Sequence, residues 1–515
     1  MPPPLRLTKN RVVHTCLVAM LAAAIVSFAS TASAHIGSPN VFYEGDAGPY
    51  RLIVTVMVPQ VIPGVANVEI RAQSDDVNSI ATSVTRLTGP GSSYAPVPDQ
   101  AQRSSADPRM FTSSLWLMEY GSLRVQLKVD GAHGPATMSV PVPSFARKML
   151  PMPRWLGAIL LALTIALGIG AVSIVGAAAR DSTLDEGSEL TAQLRRRGKR
   201  AMAVTAVIVG VIYYLAFVWW SADASEFFAI TRLFKPPGLS LTLEAPNRLV
   251  VSAAASNTDW LKYKVMDQLV PDHGHLMHLF LIRTRGLDRL WHLHPSAAGG
   301  GAFAENLPAI EQGSYNVFAD VVDKSGFPWT LVGEIDLPQI SGAPMTGDDS
   351  AGSAALLDQS KENSTTTALE DGTRVLWERD AAPIRANVPM LLRFVVQDKT
   401  GAPVRDLEPY MGMAAHAVIV AADFSVFAHI HPSGSVPMAA LMMMSDAGAA
   451  SSSAMSATAM PAMPPGSTMA GGAPTDVPAE ISMPYGFPKA GRYRIFFQFK
   501  RAGQIRTAVF DTDVI

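Results

Sequence analysis

Two stretches of this chain, Trp155 to Ala179 and Ala201 to Trp220, contain no charged residue. At about 1.5 Å of rise per residue, each is long enough to cross the hydrocarbon core of a bilayer as a helix. Lipid offers no partner for a free backbone N–H or C=O, so a lone spanning segment of this kind has to be helical. Between the two runs lie Arg180, Arg195, Arg196, Arg197, Lys199 and Arg200. Two buried helices of a large globular core would not need so basic a connection, and the positive-inside rule puts it in the cytoplasm. The reading is therefore transmembrane helix 1 at 155–179, a cytoplasmic loop at 180–200 and transmembrane helix 2 at 201–220. Trp155 and the Trp219-Trp220 pair fall at the opposite interface, where aromatic belts sit. The lipid bilayer is thus the first expected partner.

The N-terminus gives the same orientation independently. Arg6, Lys9 and Arg11 precede the apolar run Val12 to Phe28, and Ala32-Ser33-Ala34 forms a cleavage site, so 1–34 reads as a secretory signal peptide. The single cysteine, Cys16, leaves with it. A mature chain without cysteine has no disulfide staple, no thiolate ligand and no thiol nucleophile. Residues from His35 onward then face the outside. The expected location is a bacterial inner (cytoplasmic) membrane with the large domains facing the periplasm. A formal net charge of −2 provides no basic footprint, which argues against nucleic acid as a partner.

Outside the spans the pattern changes to short alternating runs. Tyr50-Arg-Leu-Ile-Val-Thr-Val-Met-Val58, Ala66-Asn-Val-Glu-Ile70 and Ser122-Leu-Arg-Val-Gln-Leu-Lys-Val129 alternate with period two and are separated by Pro, Gly and Asp. That is the signature of antiparallel sandwich strands. The segments 222–340 and 373–515 have the same texture. They are joined by 341–372, a linker rich in Ser, Thr, Gly, Asp and Ala. The expected fold class is mainly β: three exported antiparallel β-sandwich, immunoglobulin-like domains (35–150, 222–340, 373–515) plus two transmembrane α-helices.

The last two domains repeat each other. Asp272-His-Gly-His-Leu-Met-His278, a strand, a turn and Leu290-Trp-His-Leu-His-Pro295 are echoed by Tyr410-Met-Gly-Met-Ala-Ala-His416, a strand, a turn and Phe427-Ala-His-Ile-His-Pro432. Each copy closes on a Gly-x-Tyr-x-x-Phe strand, at Gly313 to Phe318 and Gly491 to Phe496. The second copy carries an insertion, 433–480, of Ala, Ser, Pro, Gly and Met without periodicity, which reads as a mobile loop.

Eight of the ten histidines that remain after cleavage fall in these repeats. Residues two apart on a strand share a face, so His292 with His294, and His429 with His431, each present two imidazoles on one side. Hairpin pairing then sets His278 or His416 opposite its pair, with Cβ atoms about 5 Å apart, close enough to share an ion. His273 and His275 flank the first triad. Met411 and Met413 occupy the same positions beside the second. Imidazole without thiolate suits copper, zinc or nickel, and thioether favours Cu(I), so copper is the first choice for both sites. The insertion adds Met438, Met442, Met443, Met444, Met455, Met460, Met463 and Met469, which read either as a Cu(I)-collecting arm or as a linker that tolerates Met. A copper transporter or chaperone would then be the partner.

Cleavage after Ala34 would also expose His35 as an N-terminal chelator, with His133 the other histidine of the first domain and Asp46 or Asp130 available to complete a site. No catalytic signature is present: there is no Gly-x-Ser-x-Gly, no phosphate loop and no His-Glu-x-x-His. The paired acids Asp348-Asp349 lie in the linker and read as solvated.

Ile62-Pro-Gly64, Leu115-Trp-Leu-Met118 and Val140-Pro-Val-Pro143 within Tyr50 to Val142 resemble the YtkA/FixH type of bacterial exported immunoglobulin-like module, and the His35 start is similar to that of the copper-resistance protein C family. The His-x-His-Pro repeats resemble modules of membrane-anchored periplasmic proteins that handle heavy metals. The resemblance implies a β-sandwich fold and copper or heavy-metal binding for tolerance, storage or delivery, without a defined reaction. The competing reading is a non-catalytic immunoglobulin-like adaptor whose histidines only pack.

Overall fold

The computed structural model describes residues 35–36, 40–148, 150, 152–184, 187–230, 234, 236–254, 266, 268–357, 363, 365–450 and 477–515. The signal peptide and most of the Met-rich insertion lie outside them. Among the described residues the chain is mostly strand, in antiparallel sheets, with two long apolar helices.

The first sandwich follows directly from the alternation. In Tyr50–Met57 the side chains of Leu52, Val54 and Val56 are fully buried, while Arg51 is exposed. This strand sits in a five-stranded sheet with Val41–Ala47 and Gly64–Ala72, and its buried face meets Leu123, Val125 and Leu127 of the facing sheet. The second and third bodies repeat the plan: a four-stranded sheet covers one face of a six-stranded sheet, around Leu249, Leu279, Tyr315 and Val317 in one and Trp377, Phe394, Ile419 and Phe497 in the other. Tyr315 Oη donates to Glu311 O at 2.7 Å and Tyr493 Oη to Lys489 O at 2.8 Å, the same corner in each repeat. It resembles the tyrosine corner of immunoglobulin-like sandwiches.

Helix α1 (Arg154–Asp181) and helix α2 (Ala192–Ile230) are long and apolar enough to cross a membrane. Helix α2 begins well before residue 201, so Arg195, Arg196, Arg197, Lys199 and Arg200 lie on its first turns and not in a loop. Gly168 and Gly176 let the helices approach closely. A Cβ at Gly176 would meet Met202 Cγ at 2.2 Å, and one at Gly168 would meet Tyr213 Oη at 3.0 Å. Tyr213 Oη donates to Thr164 O at 2.7 Å across the pair.

The element that positions the functional residues is the face between the two repeats. In the first repeat, β1 (His278–Arg283), β2 (Arg289–Leu293) and β3 (Gly313–Asp323) pair in the order β3-β1-β2. The next strand on the edge is β4 (Ser350–Ser353), which pairs with β2 so that Ser350 faces His292. This corrects the expectation of a solvated linker at 341–372, because its middle is a strand of the first repeat. In the second repeat, β5 (His416–Ala421), β6 (Val426–Ile430) and β7 (Gly491–Arg501) pair in the same order, β7-β5-β6.

The outer faces of these two sheets pack on each other through Phe280, Ile282, Leu290 and Phe318 on one side and Val418, Val420, Phe427 and Phe496 on the other. The two sets occupy equivalent positions of the repeats, and Phe318 stacks on Phe427, the counterpart of Leu290, at 4.1 Å and 7°. Strands covered on both sides read as continuous apolar runs, which is what His278–Arg283 and His416–Ala421 are. Beside this core, Arg494 pairs with Asp511 and donates to Leu287 O (3.0 Å) and Ala355 O (2.8 Å) of the first repeat.

The first sandwich clasps the pair. Phe42 is buried in the core of the second repeat, Val436 of the second repeat in the core of the first sandwich, and Phe145 in the core of the first repeat. Gly434 (φ +108) makes the tightest of these contacts, since a Cβ there would lie 2.0 Å from Phe42 O.

Candidate metal centre

Two short turns create the site. Asp272 and His275 exchange backbone hydrogen bonds at 2.8 and 3.0 Å, with His273 at φ +51 and Gly274 at φ +87. Tyr410 and Met413 do the same at 2.8 and 3.0 Å, with Met411 at φ +49 and Gly412 at φ +77. Positive φ at both central residues is the tight hairpin turn that glycine favours and that costs a non-glycine residue about 1 kcal/mol. The turn lifts His273 off its own sheet.

The histidines gather at one end of the face between the repeats. One ring nitrogen from each of His278, His292 and His294 lies within 4.8 Å of the other two, and a second triad is formed by His273, His416 and His431. The first triad matches the hairpin expected from the strand pattern. The second differs from it: His273 crosses from the first repeat and takes the place expected for His429. The chain leaves β6 after Ile430 and turns at His431 to Gly434; the rings of His429 and His431 stay 4.8 Å apart, but it is His273 whose nitrogen joins those of His416 and His431. His429 stays adjacent, its Nε2 3.2 Å from His416 Nδ1.

Hydrogen-bond partners fix which nitrogens remain free. In the first triad His278 Nε2–H donates to Asp272 O (3.1 Å), His292 Nδ1–H to Gln498 Oε1 (3.0 Å) and His294 Nδ1–H to Asp349 Oδ1 (3.0 Å). The lone pairs left over, on His278 Nδ1, His292 Nε2 and His294 Nε2, belong to the converging side. His278 Nδ1 and His292 Nε2 are 3.1 Å apart, and His294 Nε2 is buried without a partner among the described residues. In the second triad His416 Nε2–H donates to Tyr410 O (3.1 Å) and His273 Nδ1–H to Met411 O (3.1 Å). His273 Nε2 and both ring nitrogens of His431 are buried with no hydrogen bond among the described residues.

Burial pushes the ring pKa values of His278, His292, His416 and His431 well below the usual histidine range, and neighbouring imidazoles push in the same direction. His273 and His294 are lowered as well, again chiefly by burial. At neutral pH these rings are uncharged. Converging neutral imidazoles without a proton between them form an electron-rich pocket suited to a cation.

The repeats exchange their outer partners reciprocally. Gln498, opposite His416 in the register of the second repeat, holds His292 of the first; Asp320, opposite His278 in the first, lies 3.6 Å from His429 Nδ1 of the second. Gln498 is itself fixed by donating to Ser350 Oγ at 2.7 Å. Tyr410 Oη donates to Asp348 O at 2.9 Å and sits 3.4 Å from His292 Nδ1.

The acids at 348 and 349 are the residues sequence reasoning missed. Asp349 Oδ1 accepts from both the backbone N–H and Nδ1 of His294, at 3.0 Å each. Asp348 Oδ2 lies 3.1 Å from His275 Nε2, a hydrogen bond that holds the Asp348 carboxyl below the usual range. His275 stacks on His294 at 4.0 Å and stands outside both triads. Met411 contributes a backbone carbonyl and is buried; Met413 is half-buried.

His35 and His133 are not brought together. The backbone of His35 pairs with Val426 at the edge of the second repeat. His133 is exposed, with Nε2 3.2 Å from Asp76 Oδ2, in a turn beside Tyr50. His35 thus lies on an edge strand of the second repeat and His133 in a turn of the first sandwich, in place of the expected shared site. Asp46, offered as a further ligand, instead pairs with Arg51.

The insertion is also more ordered at its start than its composition suggested. Helix α3 (Met438–Ala450) begins there, as strong helix formers such as Met, Ala and Leu allow, and Ala439 N–H donates to Asp272 Oδ1 at 2.7 Å. Met455, Met460, Met463 and Met469 lie outside the described residues.

Comparisons with known proteins add little about chemistry. Residues 366–515 match a family described as a domain of unknown function, DUF8832. No curated protein matches. An engineered protein of solved structure aligns over 18% of this chain and 20% of its own at 14% identity, with a TM-score of 0.15. A bacterial ice-binding adhesin involved in host cell surface retention aligns over 88% and 89% at 7% identity (TM-score 0.14), and the ICAM-5 D1–D4 ectodomain over 93% and 77% at 9% (TM-score 0.14).

Proposed function

We propose that this protein is a membrane-anchored periplasmic copper-binding protein that holds two metal ions between its repeats, for tolerance, storage or delivery. The observation that supports it best is the set of six neutral imidazoles, four of them fully buried, in which the outer nitrogen is engaged in five and the inner nitrogens converge. Outer partners of this kind orient metal-bound histidines and set their tautomers. Thiolate is absent, and oxygen donors serve the outer positions, which favours copper, zinc or nickel over calcium or magnesium. The thioethers of α3 favour copper among these: its first turn is tied to Asp272, next to His273, and Met443 packs over Gly326. The bilayer anchors the centre through α1 and α2, with the basic start of α2 on the cytoplasmic side, and a copper transporter or chaperone is the exchange partner.

The full chain, purified in detergent without an affinity tag and dialysed, is expected to retain two copper ions, one per triad. His278→Ala with His292→Ala should remove one, and His416→Ala with His431→Ala the other. Retention of zinc in place of copper would change the metal assigned. No retained metal, or metal indifferent to all four changes, would leave the adaptor reading in its place.

A further inference from the structure

A cavity of about 100 Å³ lies where the first sandwich, the two repeats and the segment leading into α3 meet. Its lining includes His278 of the first triad, His431 of the second and the neighbouring His429. Much of the rest is apolar, with Val142, Phe145, Trp329 and Val436. The cavity therefore touches both triads at once and is lined largely by hydrocarbon.

Each triad offers three nitrogens, whereas zinc and Cu(II) take at least a fourth ligand, which in open sites is a water or another exogenous molecule. The acids of the lining are already engaged. Asp272 Oδ1 accepts the Ala439 N–H, and Asp320 Oδ1 accepts the Thr330 hydroxyl at 2.5 Å. The ring nitrogens of His431 are buried and without partners among the described residues. A cavity of this size holds several water-sized molecules, yet it is too small for an organic metabolite of ordinary size.

Resting on the metal-binding reading above, we propose that this cavity is a binding site for a small exogenous metal ligand. Its chemical class is a neutral or monoanionic σ-donor of about two to four non-hydrogen atoms, which completes the coordination left open by the histidines. The apolar lining excludes bulk water and larger chelators, so the site selects by size. Assembly of the cavity requires the first sandwich to be clasped onto the repeats, which gives that domain a role in the chemistry of a centre to which it contributes no histidine.

Azide is the probe. Added to the full chain loaded with Cu(II) in detergent, it should produce a saturable azide-to-copper charge-transfer band. Val436→Phe, in the bend before α3, and Ser122→Phe, on the strand Gly121–Gly131, fill the cavity from two different segments and leave every histidine in place. Each should keep the wild-type copper content and weaken azide binding at least about tenfold, while imidazole-sized and larger ligands bind neither variant nor wild type. Copper content serves as the folding control, and either variant suffices if the other loses it. Copper-loaded wild type that gives no azide band, or filled variants that bind azide as tightly as wild type, would overturn the inference while leaving metal binding intact. A wild-type chain that retains no copper would instead overturn the reading on which it rests.

Discussion

Acidifying the metal-free protein should separate its two repeats. Four rings in their joint, His278, His292, His416 and His431, are fully buried and have pKa values pushed well below the usual range by that burial. In the unfolded chain each titrates near 6.5. Below about pH 6.5 the unfolded state therefore binds more protons than the folded one, and stability falls as pH falls until the lower folded-state value is reached. Above about pH 6.5 the contribution is fully present. Each ring contributes about 1.4 kcal/mol per pH unit in that window, so lowering the pH to about 5.5 costs the joint about 5 kcal/mol. That is comparable with the whole stability of many domains. For a body of this size it corresponds to a melting temperature lower by about 10–20 °C. Calorimetry of the metal-free chain in detergent at about pH 7.5 and about pH 5.5 reads the effect. His416→Gln with His431→Gln removes two of these four groups and, since His273 and His294 are lowered too, should reduce the slope by about a third to a half. Equal melting temperatures at the two pH values, or a slope unchanged in the double variant, would refute the claim that these rings are buried and uncharged.

Three further outcomes follow from particular contacts. Gln498→Leu removes the acceptor that orients His292 and should weaken metal binding at the first triad by about 10–100-fold, measured by chelator competition, with Gln498→Glu closer to wild type. Phe280→Ala opens a cavity in the joint and should cost about 3–5 kcal/mol in denaturant unfolding, with a smaller loss if the neighbouring rings collapse into the gap. Gly434→Ala places a methyl group against Phe42 O at a φ that disfavours any side chain, so the first sandwich should release from the repeats and become sensitive to proteolysis in the intact chain.

The parts of this organisation that repeat in sequence were legible. Alternation located the strands of the first sandwich because Leu52, Val54 and Val56 share the core face, and pairing in a hairpin brought His278 to His292 and His294 as spacing implied. What escaped depends on contacts between distant segments. Nothing local indicates that the runs at 278–283 and 416–421 pack against each other, since a strand covered on both faces looks the same whatever covers it. The crossing of His273 depends on a tight turn whose first central residue is not glycine, a weak signal in Asp272-His-Gly-His275. Asp348 and Asp349 sit among Gly, Ser and Ala, a composition typical of linkers, and became outer partners only because Ser350–Ser353 joins a sheet edge. The Met-Ala-Ala-Leu-Met-Met-Met run is too short and too uniformly apolar to show a helical face, although its residues favour helix.

The exchange of partners across the joint has an evolutionary consequence. Two identical copies of one repeat, meeting as a symmetric dimer, would be obliged to carry the same residue at the position of His273 and at that of Met411. Joined in a single chain, the copies are released from that identity. One half carries an imidazole and sends it to its neighbour's histidines, while the other carries a thioether at the corresponding turn. Covalent fusion thus turns what would be two equal compartments into an ordered pair and, on the metal-binding function proposed above, a difference in affinity between them would set a direction along which an ion is handed on.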